Sequence, residues 1–417
     1  MLAGISAPLA WPDVAIVGGT LYTMETDAPT RGATLLIAQG VVEAVAPDLD
    51  VPAGYERIDA TGKYITPGLI EAYSQLGLEE IGGEPKTNDD TVSNFKLGPA
   101  FDVRYAINPA STLLPVNRMD GVTRAVIAPT PGNDPLAGWG AAIHLGTTPA
   151  GAVPAVGESI ITHTRIALFG SAGVGATAFV GGSRSALLQR LRQAFTDARR
   201  FTPGRYQPGR DEYGIQDMRA LREFLGADVP LVLAVNRANE ILELLTITRE
   251  LKIDLVILGG AEAWQVAGRL AEADVPVIVD VLANLPRSYD ELGARLDNVA
   301  MLYSAGVRVM ITAENTHNAR LLRQSAGNAV AEGLPWGAAL RAITREPARV
   351  FQLGDAVGTL MPGAPADLVI WNGDPLEVTS WAERVMINGE WMPMRSRQSR
   401  LYERYKNLDD EIPVGFR

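Results

Sequence analysis

Histidine and cysteine, two common metal-binding residues, are scarce in this chain. It contains only three histidines, His144, His163 and His317, and it has no cysteine. Disulfides and thiolate-bound metals are therefore excluded, and any imidazole-bound metal must use these three side chains. His144 and His163 stand in apolar, strand-like stretches, which favours a structural role for both. His317 is the remaining candidate ligand, with local hydrogen bonding as its alternative role.

Two carboxylates are placed where they could join His317 in a site. Glu314 precedes His317 by three residues, and Asp280 ends an apolar run earlier in the chain. Carboxylate oxygen and imidazole nitrogen both suit divalent metals such as Zn²⁺ and Mn²⁺. If the protein holds one divalent metal (Zn or Mn), we expect Glu314, His317 and Asp280 to bind it.

The second half of the chain alternates between apolar runs and amphipathic segments. Predicted strands at 228–236, 253–260, 275–285 and 307–315 alternate with predicted helices at 237–251, 261–273 and 289–306, and two more helices follow at 319–333 and 335–354. Strands that are apolar on both faces are typical of a parallel sheet covered by helices. With the earlier strands included, eight strand–helix units fit between about residues 64 and 350, which predicts a (β/α)8 TIM-like barrel. A doubly wound open sheet is the alternative.

Both ends of the chain have the pattern of β-structure. Short β-branched runs broken by glycine fill residues 14–46, and Asn388-Gly389 is a hairpin signal near the other end. We predict a small β-sandwich domain from residues 12–62 and 355–395, a barrel from 63–354, and a C-terminal tail from 396–417. The tail would either pack as an arm on a neighbouring molecule or fray.

Three sequence motifs follow one another in a fixed order along most of the chain. They are GKYITPGLIEAYSQLGL at 62–78, AALRAITREPARVFQLGD at 338–355 and GTLMPGAPADLVIWNGDPL at 358–376. The first resembles the opening barrel strand of the amidohydrolase superfamily, in particular its imidazolonepropionase-like branch. The other two resemble the last barrel helix of that family and its re-entry into the small β-domain.

The resemblance implies one or two divalent metals at the C-terminal mouth of the barrel, where a metal-bound hydroxide attacks an amide or ester carbon. Carried onto this chain, the two histidines of the first strand fall at Tyr73 and Gln75. The histidine of the fifth strand falls at Ala234, with Asn236 as second choice, and that of the sixth at about Gly259.

The eighth strand keeps a carboxylate, because the family's ligand and general base aligns with Glu314. Every imidazole position is vacated. Alanine and glycine have no side-chain donor, and neutral tyrosine and glutamine are poor Zn²⁺ ligands. We therefore expect a dismantled metal centre and no resident metal or other cofactor.

The favoured hypothesis is a non-catalytic or ligand-binding subunit, paired with an active paralogue or with copies of itself. A small molecule would occupy the mouth, where the candidate binding residues are Gln75, Asn236, Arg237 and Asp280. Arg237 suits a carboxylate because its guanidinium is planar and offers two parallel donors.

Two other hypotheses stay open. The protein could be an active hydrolase of C–N bonds in small amides or peptides, using an unconventional metal or none. Glu314 would then be the general base, and Tyr73 or Arg237 would polarise the carbonyl. A purely structural or oligomeric role is the third hypothesis.

Composition limits the partners. A net charge of −11 without a block of basic residues argues against nucleic acid and anionic membranes. No apolar run reaches the roughly 20 residues that span a bilayer. The N-terminal MLAGISAPLAWP lacks the basic region of a signal peptide, although it could be the remnant of one. A bacterial periplasm and the cytoplasm fit equally well, so localisation stays open.

Overall fold

The structure is a computed structural model that describes residues 13–26, 28–93, 95–147, 160–209, 212–283, 285–313 and 316–406. The strands are β1 Val14–Leu21, β2 Thr30–Ala38, β3 Val41–Pro47, β4 Glu56–Asp59, β5 Tyr64–Pro67, β6 Leu69–Ser74, β7 Val122–Ile127, β8 Leu136–His144, β9 Ile161–Ser171, β10 Leu231–Val235, β11 Leu255–Gly259, β12 Val277–Asp280, β13 Val309–Thr312, β14 Leu368–Trp371, β15 Ala382–Ile387 and β16 Glu390–Trp391.

The α-helices are α1 Leu113–Met119, α2 Arg184–Arg200, α3 Ile215–Phe224, α4 Ala238–Leu251, α5 Ala267–Glu272, α6 Asn298–Ser304, α7 Leu322–Ala331, α8 Trp336–Ala342, α9 Arg345–Val350 and α10 Arg397–Tyr405. On α2, the residues that are buried form one stripe at helical spacing: Leu187, Leu191, Ala194, Phe195 and Ala198.

Eight strands form the predicted barrel. They follow the order β6 to β13, and β13 packs back against β6. The seam between these two strands is joined by side chains: the Thr312 hydroxyl donates to the Tyr73 carbonyl at 3.2 Å. Alternate residues of the strands, such as Ile70, Val232 and Met310, meet in the barrel interior. The predicted TIM-like fold class is confirmed.

One strand of the barrel departs from the predicted succession of eight strand–helix units. β8 is antiparallel to both β7 and β9. Only residues 128–135 connect β7 to β8, and a parallel crossover needs a dozen or more residues. The short, Gly- and Pro-containing connection therefore reverses the chain, and no helix separates the second strand of the barrel from the third.

The predicted helix at 289–306 is wrong over its first half. Only α6, Asn298–Ser304, is an α-helix, and the residues before it form a loop from the end of β12. The carboxylates of Asp290 and Glu291 are buried in this loop, where they accept hydrogen bonds from other elements. Those contacts hold the segment in an irregular path that its helical spacing does not reveal.

The second sheet is built from both ends of the chain. Its order is β16-β15-β14-β5-β1-β2-β3, with β4 beside β1, so it is one continuous sheet that branches at β1. The predicted hairpin turn at Asn388-Gly389 is confirmed, because both residues have the positive φ that this turn needs, 49° and 82°. A buried ion pair between Arg124 of β7 and Asp367, at 2.6 Å, links this sheet to the barrel.

Within the described ranges, every helix is too short or too polar to traverse a lipid bilayer.

Candidate functional site

The candidate site is the mouth at the C-terminal ends of the parallel strands, where barrel enzymes place their reactive groups. Asp280 at the end of β12 is paired in register with Thr312 at the end of β13. Thr312 in turn contacts the Tyr73 carbonyl on β6. Asp280, Thr312 and Tyr73 therefore lie on three consecutive strands at this end of the barrel.

Tyr73 turns its ring into the barrel. The ring centroid is 6.2 Å from that of Phe169 on β9, and both side chains belong to the apolar interior cluster. Ala234 on β10 packs against the same cluster. At these two positions, to which the family resemblance assigns histidine ligands, the chain presents an aromatic ring and a methyl group to an apolar surrounding.

Gly259 occupies the corresponding position on β11. Its φ is +90°, a left-handed conformation that side chains other than glycine rarely adopt. A Cβ added there would stand 2.5 Å from the Asn236 side-chain oxygen. Neither histidine nor any other side chain fits at this strand end while Asn236 keeps its position.

Gln75 is buried just beyond β6, and both ends of its amide are engaged. The amide nitrogen donates to the Ala128 carbonyl at 3.4 Å, and the amide oxygen accepts from the Thr316 hydroxyl at 3.2 Å. Gln75 thereby ties the ends of β6 and β7 to the segment after β13. A role in substrate binding remains a prediction, and it would require exchanging these bonds.

Asn236, just beyond β10, holds two loops. Its amide nitrogen donates to Glu291 at 2.9 Å, and its oxygen accepts from the backbone N–H of Ala261 at 3.2 Å. The Glu291 carboxylate also accepts from the backbone N–H of Arg287 at 3.1 Å. Asn236 therefore fixes the loop after β12 to the barrel.

The remaining predicted binding residues differ in their surroundings. The Asp280 carboxylate accepts from the backbone N–H of Leu282 at 3.0 Å and lines a cleft of about 10 Å³, room for a single water. Arg237 is exposed at the start of α4, and its guanidinium donates to no described residue. The side chains of Gln75, Asn236 and Asp280 already form hydrogen bonds within the described residues, so Arg237 is the one of the four most available to a ligand.

The loop of residues 281–297, hereafter the mouth loop (Asn284 lies outside the described residues), is locked by buried carboxylates. Asp290 accepts from the Val174 backbone N–H at 2.9 Å and pairs with Arg184. Arg184 also pairs with Glu240 at 2.6 Å. Burial, reinforced by the charge of Asp290, raises the pKa of Glu240. One guanidinium thus bridges two acids beside the mouth.

Glu71 on β6 is a residue near the mouth to which the sequence alone assigns no role. It is fully buried, accepts from the Ala313 backbone N–H at 3.2 Å and from the Tyr73 backbone N–H at 3.3 Å. Burial raises the pKa of Glu71 to about 7. The available signal was a charged residue between Ile70 and Ala72 in an otherwise apolar strand.

Of the three predicted metal ligands, Asp280 and His317 lie in the described part of the chain, and the site that they would form with Glu314 stays a prediction. Glu314 lies outside the described residues, so its roles as base and ligand stay predictions. His317 is exposed in the 3-10 helix Thr316–Leu321. No cluster of three or more His, Asp or Glu side chains in the described ranges is arranged to bind a metal ion.

The other two histidines have local partners. The His144 ring nitrogen Nδ1 accepts from the Gly146 backbone N–H at 3.0 Å, and burial lowers the pKa of His144. His163 lies 3.0 Å from the Thr162 hydroxyl. Both contacts agree with the structural role that the sequence favours.

Comparison with known proteins indicates the family to which part of the chain is similar. Residues 222–392 match the Amidohydrolase family. The amidohydrolase tasK of Hapsidospora irregularis is 22% identical over 389 residues, which are 85% of this chain and 39% of that protein. The chain therefore spans well under half of the length of this curated relative.

Two solved structures extend the comparison. The crystal structure of an amidohydrolase from Thermotoga maritima is 25% identical and superimposes with a TM-score of 0.80, covering 92% of this chain and 100% of that one. Molinate hydrolase, at 15% identity and a TM-score of 0.57 over 93% and 96% of the two chains, shares the fold. The chain thus carries an Amidohydrolase family domain, and its fold is that of the amidohydrolase superfamily. Its branch within the superfamily remains a prediction.

Proposed function

We propose that this protein uses the amidohydrolase barrel to bind a small molecule without the metal-activated hydrolysis of its superfamily. The main support for the proposal comes from the strand ends at which the superfamily places its histidine ligands. Tyr73 packs its ring against Phe169, Gln75 is hydrogen-bonded at both ends, and a side chain at Gly259 would meet the Asn236 amide oxygen.

These residues do not fit the family's metal centre. A ligand must offer a free lone pair to the ion, and Ala234 and Gly259 have no side-chain donor. Tyr73 lies among apolar side chains, and the Gln75 amide is committed to Ala128 and Thr316. Metal binding by the usual strands would require rebuilding the mouth.

The exposed positive charge of Arg237 favours an anionic ligand. Its guanidinium is exposed at the start of α4, beside the strand end at which Asn236 fixes the mouth loop. A carboxylate is the group that best matches a planar guanidinium. We infer a small carboxylate-bearing molecule, bound alone or in a complex with an active paralogue.

The test combines binding and turnover on the full chain. Small carboxylate-bearing amides, such as N-acyl amino acids and dipeptides, are screened by calorimetry and assayed for hydrolysis with and without Zn²⁺ and Mn²⁺. We expect binding without turnover, and about a tenfold or greater loss of affinity in Arg237→Gln, the loss expected when one charge-assisted contact is removed. Arg200→Gln, an exposed change at the end of α2, is the matched control. Metal-dependent turnover would contradict the proposal.

A metal-free hydrolase is the second candidate. It is favoured by the family match over 222–392 and by the polar groups of Tyr73, Thr312 and Asp280 on three consecutive strands. Glu314 would act as general base, and Tyr73 or Arg237 would polarise the carbonyl of a small amide or peptide. If hydrolysis is detected, Glu314→Gln should abolish it, and unchanged turnover in that variant would refute this mechanism.

A further inference from the structure

The C-terminal helix α10 carries exposed apolar side chains. None of its residues, Arg397–Tyr405, is buried. Its N-terminus is nevertheless well specified, because Ser396 and Ser399 form a reciprocal capping box. Isolated helices shorter than about 12–15 residues are marginal in water, so a helix of this length needs a partner surface to be stable.

The surface of α10 has two adjoining stripes. Leu401, Tyr402 and Tyr405 are 37%, 67% and 47% exposed and form the apolar stripe. Three arginines at helical spacing, Arg397, Arg400 and Arg404, lie beside it and form no ion pair with any described residue. The acid of the helix, Glu403, is paired with Lys406 at 2.6 Å. The exposed face of α10 is therefore apolar and basic.

An acidic surface with exposed apolar groups lies at the barrel mouth. We call it the rim segment: residues 79–93 with Phe95, which follow β6. It holds five acids and one lysine, a net charge of −4, whereas residues 397–406 hold four cations and one acid, a net charge of +3. Ile81 and Phe95 of the rim segment are 61% and 68% exposed.

We propose that α10 of one molecule docks on the rim segment of a second copy of this chain. A second copy of the chain is the expected partner, because α10 and the rim segment are complementary in both charge and exposed apolar groups. A two-fold dimer would satisfy both contacts at once. Direct pairing of two α10 helices is disfavoured, because the arginine stripes would face each other.

This inference does not depend on the proposed function, since a mouth that binds or hydrolyses a ligand could be covered in the same way. The consequence for either activity is that the partner's α10 restricts access to the mouth from the side of β6. The oligomeric state and the ligand chemistry are measured separately, so failure of one leaves the other intact.

The first experiment measures mass in solution by light scattering and sedimentation across a range of concentrations and salt. The full chain should form a species of twice its 44.6 kDa mass that dissociates as salt rises. Charge reversal in Arg400→Glu/Arg404→Glu should weaken the dimer by about tenfold or more, and adding Glu84→Arg/Asp89→Arg to that variant should restore most of the loss. A monomer at every concentration would overturn the proposal.

Site-directed crosslinking identifies the surfaces. The chain has no cysteine, so single substitutions react without background. A mixture of Tyr402→Cys and Phe95→Cys proteins should form a disulfide-linked heterodimer, whereas Val378→Cys, an equally exposed control, should not link to either. Crosslinking of Tyr402→Cys to itself alone would overturn the rim segment as acceptor. So would a monomer whose α10 becomes helical on vesicles containing phosphatidylserine.

Discussion

The carboxylate of Glu71 accepts a hydrogen bond from the backbone N–H of Ala313, 3.2 Å away, across the seam that closes the barrel. These residues flank the point at which the first and last strands meet, and the Thr312 hydroxyl adds a second contact to the Tyr73 carbonyl. A side-chain carboxylate thus does in this seam what a backbone carbonyl does elsewhere in the sheet. The seam lies beside the candidate site.

The buried Glu71 should make stability depend on pH. Its pKa is about 7 in the folded chain against 4.5 as the ordinary value, so folding favours its protonated form. That contribution is fully present below about pH 4.5 and is lost as the pH rises through 7, amounting to about 3 kcal/mol at most. Urea unfolding at about pH 5.5 and about pH 8 measures the change.

The Glu71→Gln variant isolates this effect, because glutamine does not titrate. The unfolding free energy of the wild type, minus that of Glu71→Gln, should therefore fall as the pH rises. Glu243→Gln, a change at an exposed acid on α4, should leave the pH dependence of the wild type intact. A pH profile for Glu71→Gln parallel to that of the wild type would refute the assignment.

Sequence alone could not identify the role of Glu71. The sequence shows a charged residue in an apolar strand, but its partner Ala313 is 242 positions away and contributes only a backbone N–H. Every non-proline residue carries such a group, so residue type gives no hint of the pairing. The same limit applies to Asn236, whose partners Glu291 and Ala261 become neighbours only in the folded barrel.

Gln75 and Thr316 should be energetically coupled. Their side chains are hydrogen-bonded at 3.2 Å in a buried setting, so Gln75→Leu leaves the Thr316 hydroxyl and the Ala128 carbonyl without this partner. We expect a loss of about 1–3 kcal/mol in unfolding free energy. A double-mutant cycle with Thr316→Val should give a coupling of about 0.5–1.5 kcal/mol. Strict additivity would contradict the bridging role.

Asp290 should control the mouth loop. Asp290→Asn removes the charge that pairs with Arg184 while keeping the shape of the side chain. We expect a loss of about 2 kcal/mol and faster amide hydrogen exchange across residues 285–297, because a buried charged partner is lost. Asp297→Asn, which breaks an exposed pair with Arg295, should cost about 0.5 kcal/mol or less. Equal exchange in both variants would show that Asp290 does not hold the loop.

The elements that sequence predicted well are those whose signal is local. β10, β11, β12 and β13 are apolar runs separated by helices, and each lies within its predicted stretch. The reversal of β8 was missed because strand direction depends on the partner, and the glycines of residues 128–183 weaken the apolar pattern. The first half of the predicted helix at 289–306 is wrong for another reason. Its helical spacing is genuine, but the buried hydrogen bonds of Asp290 and Glu291 hold the segment in a loop.

The most direct test of the central claim is elemental analysis of the purified full chain, before and after incubation with Zn²⁺ and with Mn²⁺. Because Tyr73, Gln75, Ala234 and Gly259 cannot supply the imidazole ligands of the superfamily, we predict less than about a tenth of a metal ion per chain in every sample. One bound metal per chain would contradict the account and direct attention to Glu314, His317 and Asp280.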